Sequence, residues 1–158
     1  MEWYEEFRTN FPATQNQIYV NMAYFNPLPT NVIKAMNALM EEINQGIVNK
    51  EGWKKDQPVI RDKLSRLVNC KPHEIAFTKN TCEGLNIIAQ GLRWKPGDNV
   101  VVNDQENLSN VFPWLNLRQQ GVEVRILKAR DYRLPVDHIM SMVDSKTKVV
   151  AVSYVQYG

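Results

Sequence analysis

The sequence predicts an α/β fold built on a mostly parallel sheet with helices on both faces, and three observations carry that prediction. Downstream of residue 75, short apolar runs alternate with segments of helical periodicity, the rhythm of successive strand–helix–strand units. Val149, Val150, Ala151 and Val152 form a continuous apolar run, as expected of a strand covered on both faces. Turn signals such as Pro96-Gly97-Asp98 and Gly121 fall between the periodic segments, where a change of direction is needed.

Taken in order, residues 1–11 fit a short helix that stops near Pro12, and residues 18–20 fit a short strand. Asn26-Pro27-Leu28-Pro29-Thr30 is a turn into a helix, with Thr30 as N-cap. Val32, Ala35, Met36, Leu39, Met40 and Ile43 then recur at helical spacing, and Gly46 ends that helix. A second helix is expected over residues 58–68, with Ile60, Leu64 and Leu67 on one face. The second half reads as a strand at 75–78, a polar turn at 80–84 and a helix at 85–92. A strand at 100–102, a helix at 110–120 and a strand at 122–127 follow. A helix at 136–143 and a strand at 148–154 complete the pattern. Ligands of such sheets sit beyond the carboxyl ends of the strands.

Composition narrows the function classes. A chain of 158 residues with 44% hydrophobic and 23% charged residues is typical of one ordinary soluble domain. The net charge of +2 argues neither way on nucleic acid, and no dense Lys/Arg patch marks one as a partner. The apolar runs fall far short of the roughly 18 residues of a membrane span. The acidic N-terminus has no apolar secretory core. Cys70 and Cys82 make neither a disulfide framework nor a zinc site, so a reducing cytoplasm is the default. His73 and His138 stand apart from other ligand types, and no metal is expected. Because the last apolar run lies at the end of the sequence, the chain is expected to be the front of a larger protein.

Two loops are candidates for chemistry. In Thr78 to Gly84 (TKNTCEG) a strand is expected to end and a helix to begin. Backbone N–H groups and hydroxyls at the positive end of a helix dipole suit a phosphate, with Thr81 and Cys82 nearest the anion. Plain capping, with Thr81 as cap and Glu83 in the first turn, explains the same residues. In Asp104 to Asn110 (DQENLSN), Asn107 and Asn110 could donate to a ligand at a strand end. A solvated loop capped by Ser109 explains that pattern too. Glu106 is a lone carboxylate without an expected partner and receives no acid–base role.

Four segments in order resemble the class V aminotransferases, the fold-type I pyridoxal-phosphate enzymes that include cysteine desulfurases and isopenicillin N epimerase-like proteins. Tyr19-Val20-Asn21-Met22-Ala23 with Asn26-Pro27-Leu28-Pro29 resembles the family's entry loop. Phe77 to Asn86 resembles its phosphate-binding turn and helix. Gly97 to Val102 with Glu106 to Asn110 and Pro113-Trp114 resembles the strand and loop beneath the cofactor ring. Val152 to Gly158 resembles the next cofactor-facing strand end.

The resemblance implies that residues 1–70 contribute to the entry loop and small domain. It implies that residues 71–158 form part of the large, cofactor-binding domain. Thr81 and Cys82 become contacts to the phosphate of pyridoxal 5'-phosphate, with Cys82 where the family has Thr. Asn107 stands where relatives stack a His on the ring, and Tyr157 where desulfurases place an Asn at the ring hydroxyl. These departures lean toward the epimerase-like branch.

The family's Asp for the pyridinium nitrogen and its Schiff-base Lys have no counterpart among these residues. None of the eleven lysines follows a Ser/Gly-x-His pattern. No catalytic residue is therefore assigned, and the isolated chain is expected to be inactive. The intact protein is expected to be a homodimer acting on an amino acid. The rival reading is a non-enzymatic small α/β module that binds a phosphorylated ligand.

Overall fold

The computed structural model describes residues 2–22 and 25–156, which fall into two compact units, Met1–Ile75 and Ala76–Gly158. The first unit is helical. Helix α1 (Trp3–Arg8) opens with the Glu2 N–H donating to Glu5 Oε2 at 3.2 Å, and α2 (Ala13–Asn16) follows Pro12. Residues 18–20, expected as a strand, form none. A three-residue apolar run has no ladder without a neighbouring strand.

Helix α3 (Thr30–Asn44) starts one residue earlier than expected, with Pro29 rather than Thr30 at the cap position. Thr30 is instead the first helical residue. Its N–H and Oγ1 both donate to the Asn10 carbonyl, at 2.8 and 3.1 Å. The helix ends where Gly46 takes φ +74°, as its position predicts. Its apolar stripe, including Met36 and Met40, is exposed.

Helix α4 (Lys50–Val68) begins eight residues before Pro58, which lies inside it. The true start is set by Asn49, whose Oδ1 accepts from the Gly52 N–H at 2.9 Å. Asn69 closes the helix in the left-handed conformation, φ 55°.

In the second unit, three parallel strands form a sheet in the order β2-β1-β3. They are β1 (Asn99–Asn103), β2 (Glu123–Leu127) and β3 (Thr147–Val150). Asn99 pairs with Glu123 on one side and Thr147 on the other. All five residues of β1 are buried, so the strand covered on both faces is β1. The run 149–152 does not have that role. Val150 is 41% exposed and Val152 is also open, while Ala151 is buried. β3 alternates because it pairs with β1 alone among the described residues. Residues 75–78, expected as a strand, form none.

The core packs α5 (Thr81–Gly91) and the segment after β1 onto one sheet face through Ala89, Val100, Val102, Trp114, Leu117 and Val124. The helix expected over 110–120 is broken into a 3-10 turn (Leu108–Asn110), α6 (Phe112–Leu115) and a second 3-10 turn (Asn116–Gln120). Pro113 is the cause. It has no N–H to continue a helix from the preceding turn, so it sits in the first turn of a new one. Gly121 ends the segment at φ +79°. Helix α7 (Val136–Met140) precedes β3.

Two polar clusters fix the amino ends of the strands. Asp144 accepts from Asn99 Nδ2 and the Lys146 N–H, both at 2.9 Å, and pairs with Arg125 at 2.8 Å. The Asn99 bond, the Lys146 N–H and the Arg125 guanidinium hold its carboxyl far below the usual range. Lys148 of β3 forms the second cluster. It pairs with Asp98 at 2.8 Å, donates to the Arg93 carbonyl and lies 5.8 Å from the Trp94 ring centroid. Trp94 Nε1 in turn donates to the Ala89 carbonyl of α5 at 2.7 Å.

Candidate cofactor site

The carboxyl end of β3, the segment that follows β1 and helix α5 meet at one cavity of about 360 Å³. Its walls are Thr81, Leu85 and Ile88 of α5, Asn110 and Trp114, and residues 149–153. This is the end of the sheet at which α/β folds bind ligands.

The cap of α5 is Asn80, not Thr81. Asn80 Oδ1 accepts from the Glu83 N–H at 2.9 Å. Glu83 turns back to accept from the Lys79 N–H at 2.6 Å. With Asn80 as the cap, Thr81 is the first helical residue and lines the cavity. The N–H groups of residues 81 and 82 precede the first intrahelical bonds, as at every helix start. Cys82 is half-buried. Asn86 Nδ2 donates to its carbonyl at 2.9 Å and reaches its Sγ at 3.5 Å. It does not line the cavity.

Asn107 is exposed, and its side chain is occupied locally. Its Oδ1 accepts from the Ser109 N–H at 2.9 Å and from Ser109 Oγ at 2.7 Å. Asn107, rather than Ser109, thus caps the Leu108–Asn110 turn. Tyr157 lies outside the described residues. Of Thr81, Cys82, Asn107, Asn110 and Tyr157, the residues singled out from the sequence, the structure brings Thr81 and Asn110 to the cavity wall.

Three residues that spacing did not reveal shape the same site. Glu106 is 7% exposed and is the hub. It accepts from Asn103 Nδ2 at 3.1 Å, from Ser153 Oγ at 2.7 Å, from the Ser153 N–H and from Gln156 Nε2 at 3.3 Å. Asn110 lies near enough to help lower its pKa. Burial works to raise its pKa, and these hydrogen bonds outweigh burial, so the carboxyl titrates below its ordinary value. Trp114, 2% exposed, donates from Nε1 to Asn110 Oδ1 at 3.2 Å. Ser153 forms part of the cavity wall. The available signal was a second acid, two residues after Asp104, in the loop that follows the Val100–Val102 run. Its partners, 47 and 50 residues away in sequence, were not visible.

The class-V aminotransferase model matches residues 18–157. The chain belongs to the class V aminotransferase family. It is 36% identical over 160 residues to a probable cysteine desulfurase of Methanothermobacter thermautotrophicus, covering 96% of this chain and 39% of that protein. The crystal structure of the cysteine desulfurase CsdA from Escherichia coli superposes with a TM-score of 0.76 at 27% identity, over 95% of this chain and 41% of that one. A C-DES variant with glycine covalently linked to its PLP cofactor has the same fold. Its TM-score is 0.76 at 22% identity, over 90% of this chain and 39% of its own. This class V chain therefore spans about two fifths of the length of the relatives it matches. No helix among the described residues is long and apolar enough to cross a membrane.

Proposed function

We propose that this chain supplies the phosphate-binding turn and one wall of the pyridoxal-phosphate pocket of an enzyme acting on an amino acid. The observation that carries the reading is the shared cavity. Thr81, at the start of an 11-residue helix, shares one cavity with the carboxyl end of β3 and with Asn110 and Trp114 of the segment after β1. The donor set fits the group. A hydroxyl and first-turn N–H groups meet a phosphate at the positive end of α5, while Leu85, Ile88 and Trp114 offer an apolar wall to a ring. When bound, pyridoxal phosphate supplies an electron sink for the amino acid's reacting bonds.

The residues of this chain bind and orient. Thr81 and the α5 N-terminus take the phosphate, with Cys82 as the neighbouring donor through its N–H. The 104–110 loop, with Asn107, and the 153–157 end, with Tyr157, flank the ring. None of these side chains is a candidate to form the covalent link to the cofactor, so the chain alone is inactive. The intact enzyme is a cytoplasmic homodimer. Its cofactor domain begins near residue 71, and residues 1–70 contribute to the entry loop and small domain.

The test is calorimetric titration of the 158-residue chain with pyridoxal 5'-phosphate and, separately, inorganic phosphate. Both bind saturably on this reading. Thr81→Ala weakens both by about tenfold, equivalent to ~1.4 kcal/mol for one hydrogen bond to a charged group. Unchanged binding in Thr81→Ala removes the phosphate cup.

A further inference from the structure

We infer that Glu106 is a positioning residue for the ring side of this site. It acts by locking the loop after β1 to the end of β3. The inference rests on reading the cavity as the cofactor site.

Glu106 belongs to neither wall, yet it holds both. Ser153, which lines the cavity, donates to it twice, through its N–H and through Oγ. Asn110, also a lining residue, accepts from Trp114 Nε1 at 3.2 Å and is among the groups that lower the pKa of the same carboxylate. Gln156 donates from Nε2 both to Glu106 and to the Ser153 carbonyl at 2.7 Å. That leaves the buried Gln156 Oε1 without a donor among the described residues. Asn103 Nδ2, on the last residue of β1, completes the set.

The partners of Glu106 are all neutral donors. A buried carboxylate that is satisfied this way rather than by a cation gains geometry from every bond. Past the end of β3 at Val150 the backbone ladder continues for one bond, from the Ala151 N–H to the Val101 carbonyl at 2.9 Å; beyond it, Glu106 sets the spacing of the two loops. The phosphate end of the cavity, built by α5, does not depend on this knot.

The two ends can therefore be separated by experiment. Inorganic phosphate probes the α5 end alone, and pyridoxal 5'-phosphate probes both. In Glu106→Ala, affinity for inorganic phosphate is retained, while affinity for pyridoxal 5'-phosphate falls about tenfold. In Glu106→Gln, the amide oxygen still accepts from the three side-chain and backbone N–H donors at Oε1, and its NH₂ can donate to Ser153 Oγ. This variant stays within about threefold of the unmodified chain.

Far-UV circular dichroism establishes that each variant is folded. Glu106→Ala that keeps its preference for pyridoxal 5'-phosphate over phosphate overturns the inference. So does loss of both ligands in parallel, which marks a purely structural residue, and so does Glu106→Gln failing as badly as Glu106→Ala. If the unmodified chain itself shows no preference for pyridoxal 5'-phosphate, the cofactor reading has failed, and this inference with it.

Discussion

Shortening two valines, one on β1 and one on β3, tests where the covered strand lies. Val102 is 1% exposed and packs in the cluster with Trp114 and Leu117. Val102→Ala removes two methyl groups, worth ~1.6 kcal/mol in transfer free energy at ~0.8 kcal/mol each. The cavity left in a packed core brings the expected cost to about 2–3 kcal/mol. Val150 is 41% exposed, so Val150→Ala loses only about 1 kcal/mol on the same scale. With a urea slope of about 1–3 kcal/mol per molar, the two variants should differ in midpoint by roughly 1 M. The assay is urea unfolding followed by tryptophan fluorescence, repeated at two protein concentrations. Equal midpoints at both concentrations would refute the reasoning, because they would show Val150 buried within the single chain. A midpoint for Val150→Ala that moves with concentration would instead trace the burial to self-association.

Two further outcomes follow from the same geometry. The folded pKa of Glu106 lies below its unfolded value of 4.5, so its contribution is complete above pH 4.5 and is lost as pH falls through the lower folded value. The stability gap between the unmodified chain and Glu106→Gln should therefore narrow on acidification below that point; a gap that widens would contradict the assigned direction. Pro58 lies inside α4, where it removes one backbone bond and crowds the preceding turn. Pro58→Ala should raise the melting temperature of the helical unit by several degrees, the equivalent of about 1–3 kcal/mol, as read by circular dichroism. An unchanged melt would show that α4 already bends around the ring without cost.

The parts of the fold legible in the sequence are those whose signal is local. The valines of β1 and the periodicity of α3 and α5 needed no partner to be recognised. The expected strands at 18–20 and 75–78 were apolar enough but too short to pair without a neighbour, which no local pattern supplies. Pro58 looked like a helix start because proline favours first turns. The actual start is written in Asn49, a weaker signal placed nine residues earlier. At the site, Thr81 was visible from its position before a helix. Glu106 was not, because its meaning comes from Ser153 and Gln156, which only the sheet brings within reach. Asn107 illustrates the converse case: its amide was read toward a ligand, yet its oxygen is spent on Ser109.

The cluster around Lys148 gives α5 a pivot. Through Trp94 and the Arg93 carbonyl, that lysine anchors the C-terminal end of the helix to the base of β3. The first turn, with Thr81, lies at the other end, about 16 Å away for 11 residues at ~1.5 Å each. A helix clamped at one end is a lever. A tilt of about 5° at the clamp would swing its first turn by roughly 1.4 Å over that length, half the reach of a hydrogen bond. The position of Thr81 in the cavity wall is thus set partly by one ammonium group at the opposite end of the sheet, a side chain that does not line the cavity.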